Sequence, residues 1–144
     1  MIVFDRERCL AFTDRVLGNR EWGPWAQAIG YERNGELLAV AVYNNLSESD
    51  ISMHVAALHG RKWCVPEFLS AAFRYPFVQL GLRRVTAFVP ANNERALNLD
   101  RHLGFVYEGR MREAGPDGED VIVLGLLKSE CRFYGQEVQA AAAA

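Results

Sequence analysis

The chain has 144 residues, half of them apolar, with 16 Lys and Arg against 18 Asp and Glu for a formal net charge of −2. That length suits one domain with a sizeable core, and the near-neutral balance gives no electrostatic basis for non-specific nucleic-acid binding. No apolar run is long enough to cross a bilayer, and the first residues lack the basic-then-apolar layout of a secretory signal, so a cytoplasmic protein without membrane or nucleic-acid partners is expected.

"RERCLAFTDRVLG", Arg6 to Gly18, reads as a helix with a ragged apolar face at Leu10, Ala11, Val16 and Leu17. A loop follows, broken by Gly23-Pro24 and flanked by Trp22 and Trp25. "AQAIGYER" alternates as a strand, Asn34-Gly35 is a hairpin signal, and "ELLAVAVYNN" is nearly continuous in apolar residues, as a strand buried on both faces would be. "DISMHVAAL" is a third strand. In the next segment Pro66 suits a first helical turn, and Phe68, Leu69, Ala72, Phe73, Phe77 and Leu80 keep helical spacing. Pro76 lies inside that helix and should kink it or end it early. "RRVTAFVP" alternates as a fourth strand.

Asn93 is then a good N-cap, with Ala96, Leu99 and Leu103 on one face of a helix that Gly104 stops. Phe105 opens an alternating strand with Phe105, Tyr107, Gly109 and Met111 on one side. "AGPDGED" is a turn, and "DVIVLGLLKSECRF" reads as one long last strand. Residues 1–139 are expected to form a single domain, followed by a low-complexity alanine tail at 140–144. Cys9, Cys64 and Cys131 are odd in number and far apart, so they suggest reduced thiols rather than a disulfide framework or a metal site.

The order is helix, three antiparallel strands, helix, strand, helix, two strands. A strand-helix-strand unit in the middle requires a right-handed parallel crossover, and hairpins on either side make the sheet mixed. The expected fold class is α/β (α+β), with helices on both faces of a mostly antiparallel sheet.

This order, together with "NERALNLDRHLGFVYEG", resembles the GNAT superfamily of acyl-CoA-dependent N-acyltransferases. Asn93, Ala96, Gly104, Phe105, Glu108 and Gly109 fall on the spacing N-x-x-[SA], seven residues, G-F-x-x-E-G. The resemblance implies a central parallel strand pair splayed in a V. Acetyl-CoA, the implied co-substrate, would thread its pantetheine through the gap, pair with the backbone of the strand at Val55, Ala56 and Ala57, and be faced by Asn93. Its pyrophosphate would rest at the N-terminus of the central helix, where free N–H groups favour anions, beside the loop residues Arg61, Lys62, Trp63 and Cys64. An amine of a small molecule or protein would be the acceptor, and a homodimer stays open.

Two departures stand out. The usual [RQ]-x-x-G-x-[GA] phosphate loop is replaced by "HGRKWCVPEF", with Trp63, Cys64, Val65 and Pro66 where small residues are wanted. Arg61 and Lys62 are the cations that would compensate; as an alternative they are solvated loop residues. Cys64, beside a helix N-terminus, would have a lowered thiol pKa. The position of the Tyr that protonates the CoA thiolate in many members is Asp100, expected at the surface and ionised, with Tyr107 as the alternative acid. His54 has the residue type of a general base, against a structural strand histidine. His59 could help bind phosphate, and His102 suits a helix C-terminus. Trp22 and Trp25 would wall the acceptor site or staple their loop to the core. Two rival functions remain: a GNAT-like binding or assembly module with weakened CoA binding, or modification of an unusual acceptor such as a nucleic-acid base. The second rests on a likeness of the "RKW…PEF" loop to phage-borne GNAT-like proteins.

Overall fold

A computed structural model describes residues 1–135; the alanine tail and the 139 boundary lie outside the described residues. Seven strands form one sheet in the order β1-β2-β3-β4-β5-β7-β6. They are β1 (Ile2–Val3), β2 (Gln27–Arg33), β3 (Glu36–Asn44), β4 (Asp50–Ala57), β5 (Arg84–Pro90), β6 (Val106–Met111) and β7 (Val121–Leu127), with helices α1 (Arg6–Leu17), α2 (Pro66–Arg74) and α3 (Glu94–Leu103). β4 and β5 are adjacent and parallel, and the other pairs are antiparallel. The expected mixed sheet with one central parallel pair is borne out.

The two faces of the sheet build two cores. α2 and α3 pack on Tyr31, Ala41, Tyr43, Met53, Val85, Ala87 and Val89, while α1 packs on Ala28, Val40, Val42 and Ala56. β3 is therefore buried over seven consecutive residues, which is why its sequence shows no alternation.

Pro66 occupies the first turn of α2 behind Val65. Pro76 ends the α-helix at Arg74, and the chain continues as a π-turn over Tyr75–Gln79. A proline has no N–H to give the carbonyl four residues back. Here that carbonyl belongs to Ala72, and the Tyr43 hydroxyl of β3 donates to it at 2.5 Å. Tyr43 is fully buried, and burial holds its phenol well above the ordinary value. Tyr43→Phe keeps the ring and strands the carbonyl, so urea unfolding should show a loss of about 1–3 kcal/mol. A loss near zero would mean that the carbonyl is satisfied elsewhere.

Three local expectations need correction. β1, whose two residues carry no periodicity, is added to the expected strands; it forms by pairing Ile2 with Tyr31 and Val3 with Gly30. The last strand stops at Leu127, where the Glu130 carboxylate accepts from the Leu127 N–H and a 3-10 turn begins. β6 does not alternate cleanly, because its register shifts between Tyr107 and Gly109. At that bulge the Glu108 carboxylate lies over Gly125 and pairs with Arg84 at 2.8 Å; a side chain at position 125 would collide with both. The Gly-Phe and Glu-Gly pairs of the motif thus have structural uses. Gly104 takes the left-handed conformation, φ 107°, that ends α3, and Phe105 is buried in the core.

Candidate active site

The site begins where β4 and β5 part. Their pairing covers only Asp50 with Arg84, Ile51 with Val85 and Ser52 with Thr86. Beyond it both strands continue, β4 against β3 as far as Ala57 and β5 against β7 as far as Pro90. A polar network pins the closed end: Thr86 Oγ1 donates to the Asp50 carboxylate at 2.8 Å, and Arg84 lies 3.4 Å from the same carboxylate. The result is a V-shaped gap between two strands that each hold their outer partner.

Alternation along β4 fixes which backbone groups face the gap. The Leu58 N–H donates to Leu38 of β3, so Ala56 and His54, in step with Leu58, also turn their N–H and C=O groups toward β3. Met53, Val55 and Ala57 turn theirs toward the gap. Of the three strand residues expected to pair with the cofactor arm, Val55 and Ala57 have free backbone edges. Ala56 is committed to β3 and buries its side chain beneath α1.

The gap opens into a cleft of about 110 Å³ lined by His54, Val55, Ala87, Asn93, Ala96 and Asp100 among others. Asp100 is not the ionised surface residue that the sequence suggested. Its cleft neighbours Met53, Val55, Leu99, Leu103 and Phe105 are apolar, and burial pushes its carboxyl up to about 7. At neutral pH a carboxyl there is protonated about half of the time.

His54 faces the other side of the sheet. The Asn44 amide donates to the Trp22 carbonyl at 3.4 Å and offers its Oδ1 to His54 Nε2 at 3.1 Å. An amide oxygen only accepts, so Nε2 carries the proton and Nδ1 keeps its lone pair. Trp22 packs on the imidazole at 4.8 Å between ring centroids. Burial, then the nearby Arg20 charge, brings His54 down to about 4, so the ring is neutral at physiological pH and a weak base. A second groove of about 490 Å³ adjoins it, bounded by Arg20, His54, Phe88, Pro90, Asn93 and the turn at Gly115–Glu119.

No protein-family model matches the sequence, and a search of curated proteins finds no match. Solved structures do match. The spermidine/spermine N-acetyltransferase SpeG from Vibrio cholerae, in complex with manganese ions, superposes with a TM-score of 0.71 at 14% identity over 98% of this chain and 96% of that one. A point variant of spermidine N-acetyltransferase SpeG from Vibrio cholerae gives 0.73 at 17% identity over 90% and 94%. A probable acetyltransferase gives 0.63 at 20% identity over 73% and 62%.

This chain has the GNAT fold.

Within the GNAT fold the remaining expected site residues separate. Asn93 caps α3, its Oδ1 accepting from the Ala96 N–H at 3.2 Å. It also lines both the cleft and the groove, with its amide NH₂ bonded to none of the described residues. Tyr107 is 54% exposed on edge strand β6, in a surface pocket with Asn98, Arg101 and Arg110; the structure does not bring it to His54 or Asp100. Neither tryptophan lines the cleft or the groove; Trp22 meets the site only through its packing on His54, and Trp25 is 88% exposed.

The loop before α2 is occupied with itself. Arg61 pairs with Glu36 at 2.5 Å. The N–H groups of Arg61, Trp63 and Val65 donate to carbonyls within the loop, and the Trp63 ring packs edge-on against Phe68. Lys62 is exposed. Val65 brings no side-chain cap and Glu67 places a negative charge in the first turn. Desolvation raises the Cys64 thiol rather than lowering it, which corrects the expected lowering. Among the described residues no group of three or more His, Cys, Asp or Glu could hold a metal, and no helix is long and apolar enough to cross a membrane.

Proposed function

We propose that the chain is an acetyl-CoA-dependent N-acetyltransferase acting on an amine of a small molecule or protein. The observation that carries this reading is the gap itself: free backbone edges at Val55 and Ala57 lead into a cleft that holds a carboxyl titrating near neutrality. An extended arm bearing amides fits such an edge, because each strand residue facing it offers one donor and one acceptor.

Acetyl-CoA supplies the acyl group as a thioester. The gap-facing N–H groups of β4 are placed to polarise the acyl oxygen as negative charge develops on it, and they need no reorganisation to do so. The amine enters by the groove beside His54 and attacks in its neutral form. His54, a weak base, does not deprotonate a free ammonium ion; its Nδ1 lone pair takes the far more acidic proton that the nitrogen carries once the new C–N bond has formed, and passes it to water. Asp100 donates its proton to the departing sulfur, which removes the need for a tyrosine at that position. Tyr107 has no part in this scheme.

The test is thiol release from acetyl-CoA with a panel of amines, including spermidine and peptides with free N-termini. Amine-dependent release is expected. CoA binding without release under any amine would favour the second reading, a GNAT-fold binding module, for which the self-bonded loop before α2 is the supporting observation. Absence of both binding and release would sink the enzyme.

A further inference from the structure

If acetyl-CoA threads the gap, its phosphates emerge at the wide end of the V, and the loop there is poorly equipped to receive them. Three of its N–H groups and its Arg61 side chain are already bonded, and Glu67 stands at the start of α2. A different pair of side chains meets at the same mouth. His59 lies two residues beyond the end of β4, and Arg95 lies in the first turn of α3, just beyond β5. Because β4 and β5 diverge there, a contact between these residues crosses the opening, and Arg95 Nη2 sits 2.6 Å from His59 Nδ1.

The chemistry of that contact is specific. A guanidinium only donates, so His59 Nδ1 accepts and the ring proton is on Nε2. The Nε2–H has no partner among the described residues. Arg95 is exposed and has no carboxylate within ion-pair distance among the described residues, whereas Arg8, Arg61, Arg84 and Arg110 each have one. The pair therefore presents an imidazole N–H and a planar fork of guanidinium donors to whatever lies at the mouth. Such a fork matches phosphate oxygens two at a time.

We propose that His59 and Arg95 bind the phosphate groups of acetyl-CoA in this chain, in the role for which the loop of residues 60–65 offers only the exposed Lys62. The inference rests on the acetyltransferase reading above. It makes α3 a contributor to the phosphate end of the site as well as to the cleft, through a side chain five residues before Asp100.

Calorimetry with CoA and with pantetheine, which has the same arm and no phosphate, separates the elements. Wild-type protein should bind both, CoA more tightly. Arg95→Ala should weaken CoA by about tenfold or more, as expected for loss of charge-assisted contacts, and leave pantetheine unchanged. Arg95→Lys should restore part of the loss, and Arg61→Ala should have the smaller effect. Arg95 is at the surface, so melting temperatures should match and serve as the folding control. Unchanged CoA affinity in Arg95→Ala would overturn the proposal. So would equal losses for CoA and pantetheine, because Arg95 would then act on the gap. A loss confined to Arg61→Ala or Lys62→Ala would return the phosphate site to the loop. Wild-type protein that binds neither molecule would overturn the acetyltransferase reading, and this proposal with it.

Discussion

Replacing Asp100 by Asn should slow acetyl transfer at pH 7 by about 10²–10⁴-fold, the usual contribution of a positioned general acid, with acetyl-CoA affinity nearly unchanged. The amide keeps the shape of the carboxyl but has no proton to give the leaving sulfur. In the wild type, turnover should fall as pH rises through about 7, where the carboxyl ionises, and this limb should vanish in the variant. The variant's stability should move opposite to its activity. The carboxyl sits at about 7 in the fold against an ordinary 3.8, so between those values the folded chain holds a proton that the unfolded chain has lost. Stability therefore falls as pH rises through that window, and the full cost of an ionised, desolvated carboxylate is felt above it. Asp100→Asn should be more stable than wild type at pH 8, by a few kcal/mol at roughly 1.4 kcal/mol per pKa unit, with the gain disappearing near pH 4. A variant less stable at pH 8 would show that the carboxylate is held by favourable contacts.

The second large effect is expected at Asn93. Asp caps a helix about as well as Asn, and its charge suits a helix N-terminus, so Asn93→Asp should melt within a degree or two of wild type. The substitution removes the free amide NH₂ that faces the cleft and adds a negative charge beside a polyanionic ligand. CoA affinity should drop about tenfold or more. Retained affinity with retained stability would reduce Asn93 to its contact with the Ala96 N–H.

The parts of the fold readable from sequence are those governed by local rules. Pro66 and Pro76 marked where α2 begins and ends, Asn93 and Gly104 bounded α3, and the unbroken apolar run of β3 signalled burial on both faces. The parallel pair followed from a strand-helix-strand order. The site was less readable because its properties arise from residues distant in the chain. Asp100 shares its cleft with Met53 and Val55, far off on β4, and with Phe105 after the helix turns back; its own neighbours in α3 include Asn98 and Arg101. Arg61 reads in sequence as a loop cation open to phosphate or solvent, but its partner Glu36 is 25 residues away. Arg95 and His59 are 36 residues apart and meet only because two diverging strands deliver them to one opening. Trp22 and Trp25 are three residues apart with similar surroundings in sequence, yet one packs on His54 and the other projects into solvent. No periodicity distinguishes them.

The central claim is that the unpaired edge of β4 is the surface that receives the cofactor arm. Amide-resolved NMR during a CoA titration addresses it directly. The Val55 and Ala57 N–H signals should shift and gain protection from exchange, while the Ala56 N–H, bonded to β3 on the other side, should be little changed. A titration in which CoA binds but leaves Val55 and Ala57 unperturbed would contradict the claim.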